Sequence, residues 1–169
     1  MKRMLIALGL VSFCGLAGAE NLIKNGGAEN DIDWFNGFSG KLTTLVKSGK
    51  NCYYVTGTKR ITAKKLIAVE SNKKYELSGW FKSAGDDSSK ICFGLIAFDA
   101  NKKKIKKTKP LFFVADKKIV PEIWTKFSGQ VVGGKLPAGT KFVKVILVGN
   151  YKSPKGRLAV DDLEFKAVK

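Results

Sequence analysis

The sequence predicts an all-β fold, an antiparallel sandwich of two packed sheets. Short runs rich in Val, Ile, Phe, Tyr and Thr follow one another from residue 21 to residue 166. Turn-forming clusters separate them, and no segment sustains a helical period. Strands with no helices to cover them bury their apolar faces against a second sheet.

The runs are 21–24, 41–47, 52–56, 62–69, 74–83, 90–99, 124–132, 141–148 and 157–166. Ser48-Gly49-Lys50-Asn51, Ala84-Gly85-Asp86-Asp87, Gly133-Gly134 and Pro137-Ala138-Gly139 punctuate them with turn chemistry. Alternation assigns the faces. In 74–83, Tyr75, Leu77, Gly79 and Phe81 share the core side, with Glu76, Ser78 and Lys82 opposite. In 141–148, Val143, Val145 and Leu147 point inward, opposite Phe142, Lys144 and Ile146. In the last run Leu163 and Phe165 point inward, and the same parity puts Asp161 on the core side. A carboxylate there is costly unless it is paired or bound to a metal. The lysine-rich stretch 101–109 reads as a solvated loop, and Phe112, Phe113 and Tyr151 also fall in loops.

The opening of the chain reads as an export signal. Lys2 and Arg3 precede an apolar run over 4–16, and Ala17-Gly18-Ala19 offers a small-x-small cleavage site before Glu20. The run is too short to cross ~30 Å of hydrocarbon. The expected organisation is a signal peptide over 1–19 and one domain over 20–169, secreted or periplasmic and without a transmembrane segment. The full chain has 31 Lys and Arg against 14 Asp and Glu, +17 overall. Loss of Lys2 and Arg3 leaves 29 against 14, a mature charge of +15. That surplus draws polyanions. An exported protein meets anionic glycans and cell-envelope polymers, and no nucleic-acid motif is present.

Histidine is absent, which removes the usual zinc sites, Ser-His-Asp triads and Cys-His pairs. Glycoside hydrolysis needs only two carboxylates. Asp31, Asp33, Asp86, Asp87, Asp99, Asp116 and Glu122 lie mostly in turns, and nothing marks a pair facing across a cleft. Cys52 and Cys92 remain after cleavage, either bridged on adjacent strands or buried as two thiols.

Several motifs in order resemble one family. Asn21-Leu22-Ile23-Lys24-Asn25-Gly26-Gly27-Ala28-Glu29 followed by Trp34 is similar to the opening of carbohydrate-binding modules found beside bacterial cellulases and xylanases, with Ala28 replacing their aromatic residue. Gly49-Lys50-Asn51-Cys52-Tyr53-Tyr54-Val55 and Tyr75-Glu76-Leu77-Ser78-Gly79-Trp80-Phe81-Lys82 resemble two of their strands. Phe98-Asp99-Ala100-Asn101-Lys102, Trp124-Thr125-Lys126-Phe127-Ser128-Gly129 and Leu136-Pro137-Ala138-Gly139-Thr140 match further signatures. Leu158-Ala159-Val160-Asp161-Asp162-Leu163-Glu164-Phe165 resembles the closing Asp-Asp strand.

The resemblance implies a galactose-binding-like jelly roll that binds a polysaccharide or oligosaccharide as a monomer, without catalysis. It also implies a structural Ca²⁺ held by Glu29 and Asp161, with main-chain carbonyls near Lys50 completing the shell. Calcium takes about six to eight oxygens, and carboxylates supply the charge. Sugar recognition in such modules rests on aromatic platforms, because a pyranose offers an apolar C–H face. Tyr54, Trp80, Phe112, Phe113 and Tyr151 are the rings not assigned to the core. Tyr54 is expected on the floor of a groove, Phe112, Phe113 and Tyr151 on its rim, and Lys144 facing acid groups of the ligand. Two other functions are weighed beside this one. The first is an adhesive sandwich that holds envelope or matrix polyanions by charge alone, and the second is a small glycoside hydrolase.

Overall fold

The computed structural model describes residues 19–30, 34–70, 72–84, 89–105, 110–132, 136–150 and 157–168. All but the last residue of the expected signal segment, and Tyr151, lie outside the described residues. Eleven strands form in chain order among them: β1 Phe35–Asn36, β2 Gly40–Leu42, β3 Cys52–Val55, β4 Thr58–Ala63, β5 Ile67–Ala68, β6 Lys74–Ala84, β7 Ser89–Phe98, β8 Leu111–Ile119, β9 Thr125–Val132, β10 Phe142–Asn150 and β11 Arg157–Val168. One sheet runs β1-β4-β10-β7-β8, with β5 also paired to β10; the other runs β2-β3-β11-β6-β9. Every ladder between them is antiparallel.

The core lies between the sheets and follows the alternation read from the sequence. Tyr75, Leu77 and Phe81 of β6 meet Val143, Val145 and Leu147 of β10 in one apolar cluster. Tyr75 stacks on Phe165 at 5.2 Å, and Phe81 meets Phe93 edge-on at 5.7 Å. Each fully buried Phe or Leu contributes roughly 1.5–3 kcal/mol by leaving water. Trp34 is buried in this cluster, while Trp124 is half-buried.

Four expectations are corrected. Segment 21–24 forms no strand. It docks on β11 instead: the Leu22 N–H donates to the Phe165 carbonyl (2.7 Å). Asn21 Nδ2 reaches the Leu163 carbonyl, and Asn21 Oδ1 accepts the Phe165 N–H. Run 41–47 keeps only its start as β2, and the rest becomes a loop over 43–51. Run 62–69 divides into β4 and β5. Finally, the stretch holding Phe112 and Phe113 is strand β8, not loop; it pairs with β7 through two register shifts. Those irregularities break the alternation that would have marked it in the sequence.

Candidate functional site

The outer face of the six-stranded sheet departs from the polar surface a sandwich normally shows. Register places Val148, Cys92 and Arg60 in one row across β10, β7 and β4. The next rows bring Ile146 between Gly94 and Thr62, Lys144 beside Ile96, and Phe142 beside Phe98. Ile146 is only 1% exposed and Ile96 7%, yet neither joins the inter-sheet core. An apolar strip therefore runs along the middle of a face that points away from the core.

Cations border this strip. Lys144 Nζ lies 5.9 Å from the centre of the Phe98 ring, the distance of a cation–π contact. Lys90 and Lys118, both exposed, stand directly opposite each other on β7 and β8. Like charges so placed destabilise a ladder unless an anion lies between them. Arg60, Lys90, Lys118 and Lys144 have no carboxylate partner among the described residues. Arg60 and Lys144 are about 14 Å apart along the strand direction, farther than a single sugar ring reaches.

Of the residues nominated from sequence, Lys144 lies on this face, and Phe112 holds the register position opposite Gly94. Phe113 is corrected from rim to packing: it is half-buried against the core and stands over Gly129, whose missing side chain makes room for it. Tyr54 takes an outer face as expected, but not the one that carries Lys144. It lies on the outer face of the five-stranded sheet, across from Gly40 and Ala159, with the Arg157 guanidinium 5.4 Å from its ring centre. Tyr54 and Lys144 thus belong to opposite surfaces. Ile96, Ile146, Phe98 and Arg60 were not singled out from sequence. The signal was present in β10, whose outward side Phe142-Lys144-Ile146 is mostly apolar.

The calcium expectation named Glu29, Lys50 and Asp161, and Glu29 and Asp161 each hold N–H groups of the 47–51 loop. Glu29 Oε1 accepts the N–H groups of Lys50 and Asn51, each at 2.9 Å. Asp161 Oδ2 accepts those of Lys47 and Ser48 at 2.9 and 3.2 Å, and Oδ1 takes the Asp162 N–H at 2.8 Å. Asp161 is fully buried, but parity misplaced it. A bulge between Asp161 and Glu164 shifts the register, so Asp161 pairs with Trp80 on the outer face and lies beneath the 43–51 loop. Burial raises its carboxyl pKa, and the N–H bonds oppose that rise. Glu29 is held below the usual range by the N–H groups of Asn51 and Lys50.

A cation here would have the oxygens beside Gly27 to bind. A side chain on Gly27 would fall 3.3 Å from Asp161 Oδ1 and 3.5 Å from Asp162 Oδ1, in a space lined by carboxylate. Among the described residues the acidic side chains do not by themselves form a three-sided metal cluster. Main-chain oxygens of the 47–51 loop would have to complete the shell.

The cysteine bridge is corrected. Cys52 lies on β3 and Cys92 on β7, in different sheets, and no disulfide joins them. Cys52 donates its thiol to the Leu45 carbonyl at 2.9 Å. Burial, then the nearby Asp161 and Glu29 charges, push its pKa up to about 12. The thiolate is the reactive form, so a maleimide at neutral pH is expected to label Cys92 and spare Cys52 until the fold is unfolded. Mass spectrometry of a native digest reads this directly. A disulfide-linked pair of peptides from a purified, untreated sample would overturn it.

No protein-family model matches the sequence, and no curated protein does. Solved structures do match. The xylan-binding domain CBM22-1 of Paenibacillus barcinonensis Xyn10C aligns with a TM-score of 0.58 at 17% identity, covering 88% of this chain and 92% of that one. Family 16 Carbohydrate Binding Module-2 aligns at 0.58 and 18% identity, covering 88% and 100%. TmCBM61, solved with β-1,4-galactotriose, aligns at 0.63 and 10% identity, covering 89% and 100%. Two antiparallel sheets in this order, matched over nearly nine-tenths of the chain, give this protein the β-sandwich jelly roll of the carbohydrate-binding modules.

Proposed function

We propose that the protein is an exported, non-catalytic carbohydrate-binding module that holds an acidic polysaccharide along the outer face of its six-stranded sheet. One observation carries the reading: the half-buried Phe98 and Phe142 rings on this face, beside buried Ile96 and Ile146 and bordered by Arg60, Lys90, Lys118 and Lys144. Aromatic rings take the C–H faces of sugar rings, and cations with no carboxylate partner among the described residues take carboxylate or sulfate groups. The jelly-roll neighbours named for xylan binding and solved with galactotriose support the carbohydrate part. The mature charge of +15 supports the acidic part. A calcium ion held by Glu29 and Asp161, with oxygens of the loop around Lys50, belongs to the same reading and would serve stability.

Affinity electrophoresis through gels containing polygalacturonate or unsubstituted xylan, at low and moderate salt, tests the function. Retardation by polygalacturonate is expected to weaken with salt but persist. Lys144→Ala and Arg60→Ala should each weaken it about tenfold, the scale of a lost charge-assisted bond. No reducing sugar should be released. Equal retardation by xylan would overturn the acidic ligand. Loss of all binding at moderate salt, whatever the polymer, would favour adhesion by charge alone.

A further inference from the structure

We propose a second carbohydrate site, for a single neutral pyranose residue, in a pocket on the outer face of the five-stranded sheet. The pocket has a volume of about 330 Å³ and is lined by Asn21, Gly27, Trp80, Lys126, Asp162 and Glu164, among others. That is near the lower end of ordinary ligand sites, room for one ring and not for a chain. It lies on the opposite sheet from the apolar strip of Ile96 and Ile146, so the two sites are independent.

The β11 bulge builds the pocket. An extra residue between Asp161 and Glu164 breaks the register there, and Asp162 adopts a left-handed φ of 46°. Such a φ is uncommon for a residue other than glycine and marks a position fixed by its surroundings. The bulge leaves Asp162 and Glu164 both lining one hollow. Asp162 Oδ1 accepts the Ser48 hydroxyl at 2.7 Å, and Glu164 Oε2 accepts Ser78 Oγ and Lys166 Nζ. Each carboxylate keeps its other oxygen free of protein partners among the described residues.

The wall of the pocket is Trp80, a half-buried ring on the solvent side of β6. Lys47 Nζ lies over one face of the ring, 4.5 Å from its centre. Lys126 stands directly across the ladder from Trp80. It is exposed and has no partner among the described residues. The pocket therefore offers an aromatic surface, two carboxylate acceptors and one ammonium donor. A sugar hydroxyl both donates and accepts, so adjacent hydroxyls satisfy a carboxylate and an ammonium at once while the ring's C–H face rests on the indole. Cations and anions are mixed here, unlike the purely basic border of the other face. This pocket selects hydroxyls over acid groups.

Titration of ¹⁵N-labelled protein with methyl xyloside, methyl glucoside and methyl galactoside, followed by the indole N–H resonances, tests the proposal. A saturable shift of the Trp80 resonance at millimolar concentration is expected for at least one neutral glycoside. Methyl glucuronoside should shift it less. Lys126→Ala, an exposed change that leaves the fold intact, should weaken binding about tenfold, and Trp80→Phe should weaken it further. Lys144→Ala should change nothing. The proposal is overturned if no neutral glycoside shifts Trp80, if the shift survives unaltered in both pocket variants, or if Lys144→Ala removes it. The last result would place the sugar on the other face. Failure of polysaccharide binding in gels would leave this result untouched, so the two readings fall separately.

Discussion

Asp161→Ala is expected to lower the melting temperature more than any other substitution outside the inter-sheet core, and to abolish stabilisation by calcium. The carboxylate is the acceptor for the N–H groups of Lys47 and Ser48. Its removal leaves both without their partner beneath a loop that also shields Cys52. Each orphaned donor costs about 1–3 kcal/mol if water cannot reach it. Relief of a buried charge works in the opposite direction, since burial already disfavours the ionised form of Asp161. A net loss of about 3 kcal/mol corresponds to a fall of roughly 6–12 °C for a domain of this size. Calcium in hundredfold excess over its Kd would add ~2.7 kcal/mol to the wild type. Asp161→Asn separates the two roles. The amide oxygen still accepts N–H bonds, so metal-free stability should largely return, while the calcium response should not. Thermal melts with calcium and with chelator decide this. If wild type and Asp161→Ala melt alike in both, neither the clamp nor the ion is there.

Gly26→Ala should be the next most damaging change. A side chain at this position would run into the main-chain carbonyl of Leu163, and a backbone obstacle cannot rotate away. The contact lies where the Leu163 N–H donates to the Gly26 carbonyl at 3.2 Å, beside the bonds that Asn21 and Leu22 make to β11. Overpacking of this kind costs about 1–3 kcal/mol. Gly139→Ala is the informative comparison. Its φ of +79° is unfavourable for alanine, but the space around it is open. Its cost should be limited to the ~1–2 kcal/mol of a left-handed non-glycine residue. Equal melting temperatures for Gly26→Ala and wild type would show that segment 21–27 does not pack on the bulge.

How much of this the sequence disclosed depends on regularity. Strands β6 and β10 alternate without interruption, and their inward residues were read correctly from period alone. That Glu29 and Asp161 lie at the same loop was legible only through a resemblance, since nothing in spacing brings residues so far apart together. Where the chain departs from period two, the reading failed. Two register shifts hid β8 and turned Phe113 toward the core. One extra residue in β11 sent Asp161 to the face opposite the one parity gave it. Tyr54 was placed with Lys144 because its strand resembles one that lines a groove in carbohydrate-binding modules, while Lys144 alternates outward on its own strand. Alternation says which side of a sheet a residue takes, and not which sheet its strand joins.

The strand order also dictates when this domain can fold. In the five-stranded sheet β11 occupies the centre, between β3 and β6, although it follows every other strand in the chain. Until residues 157–168 have been synthesised, β3 and β6 each present an unsatisfied edge, and the core lacks Leu158, Val160, Leu163 and Phe165. The six-stranded sheet has all its strands before β11 is made, but the second sheet stays split between β3 and β6 until then. Closure of the sandwich waits for residues 157–168 and proceeds through long-range pairings, which are slow to form. Until β11 arrives, the edges of β3 and β6 stay open to mispairing, so the order of synthesis leaves the centre of one sheet to be filled last.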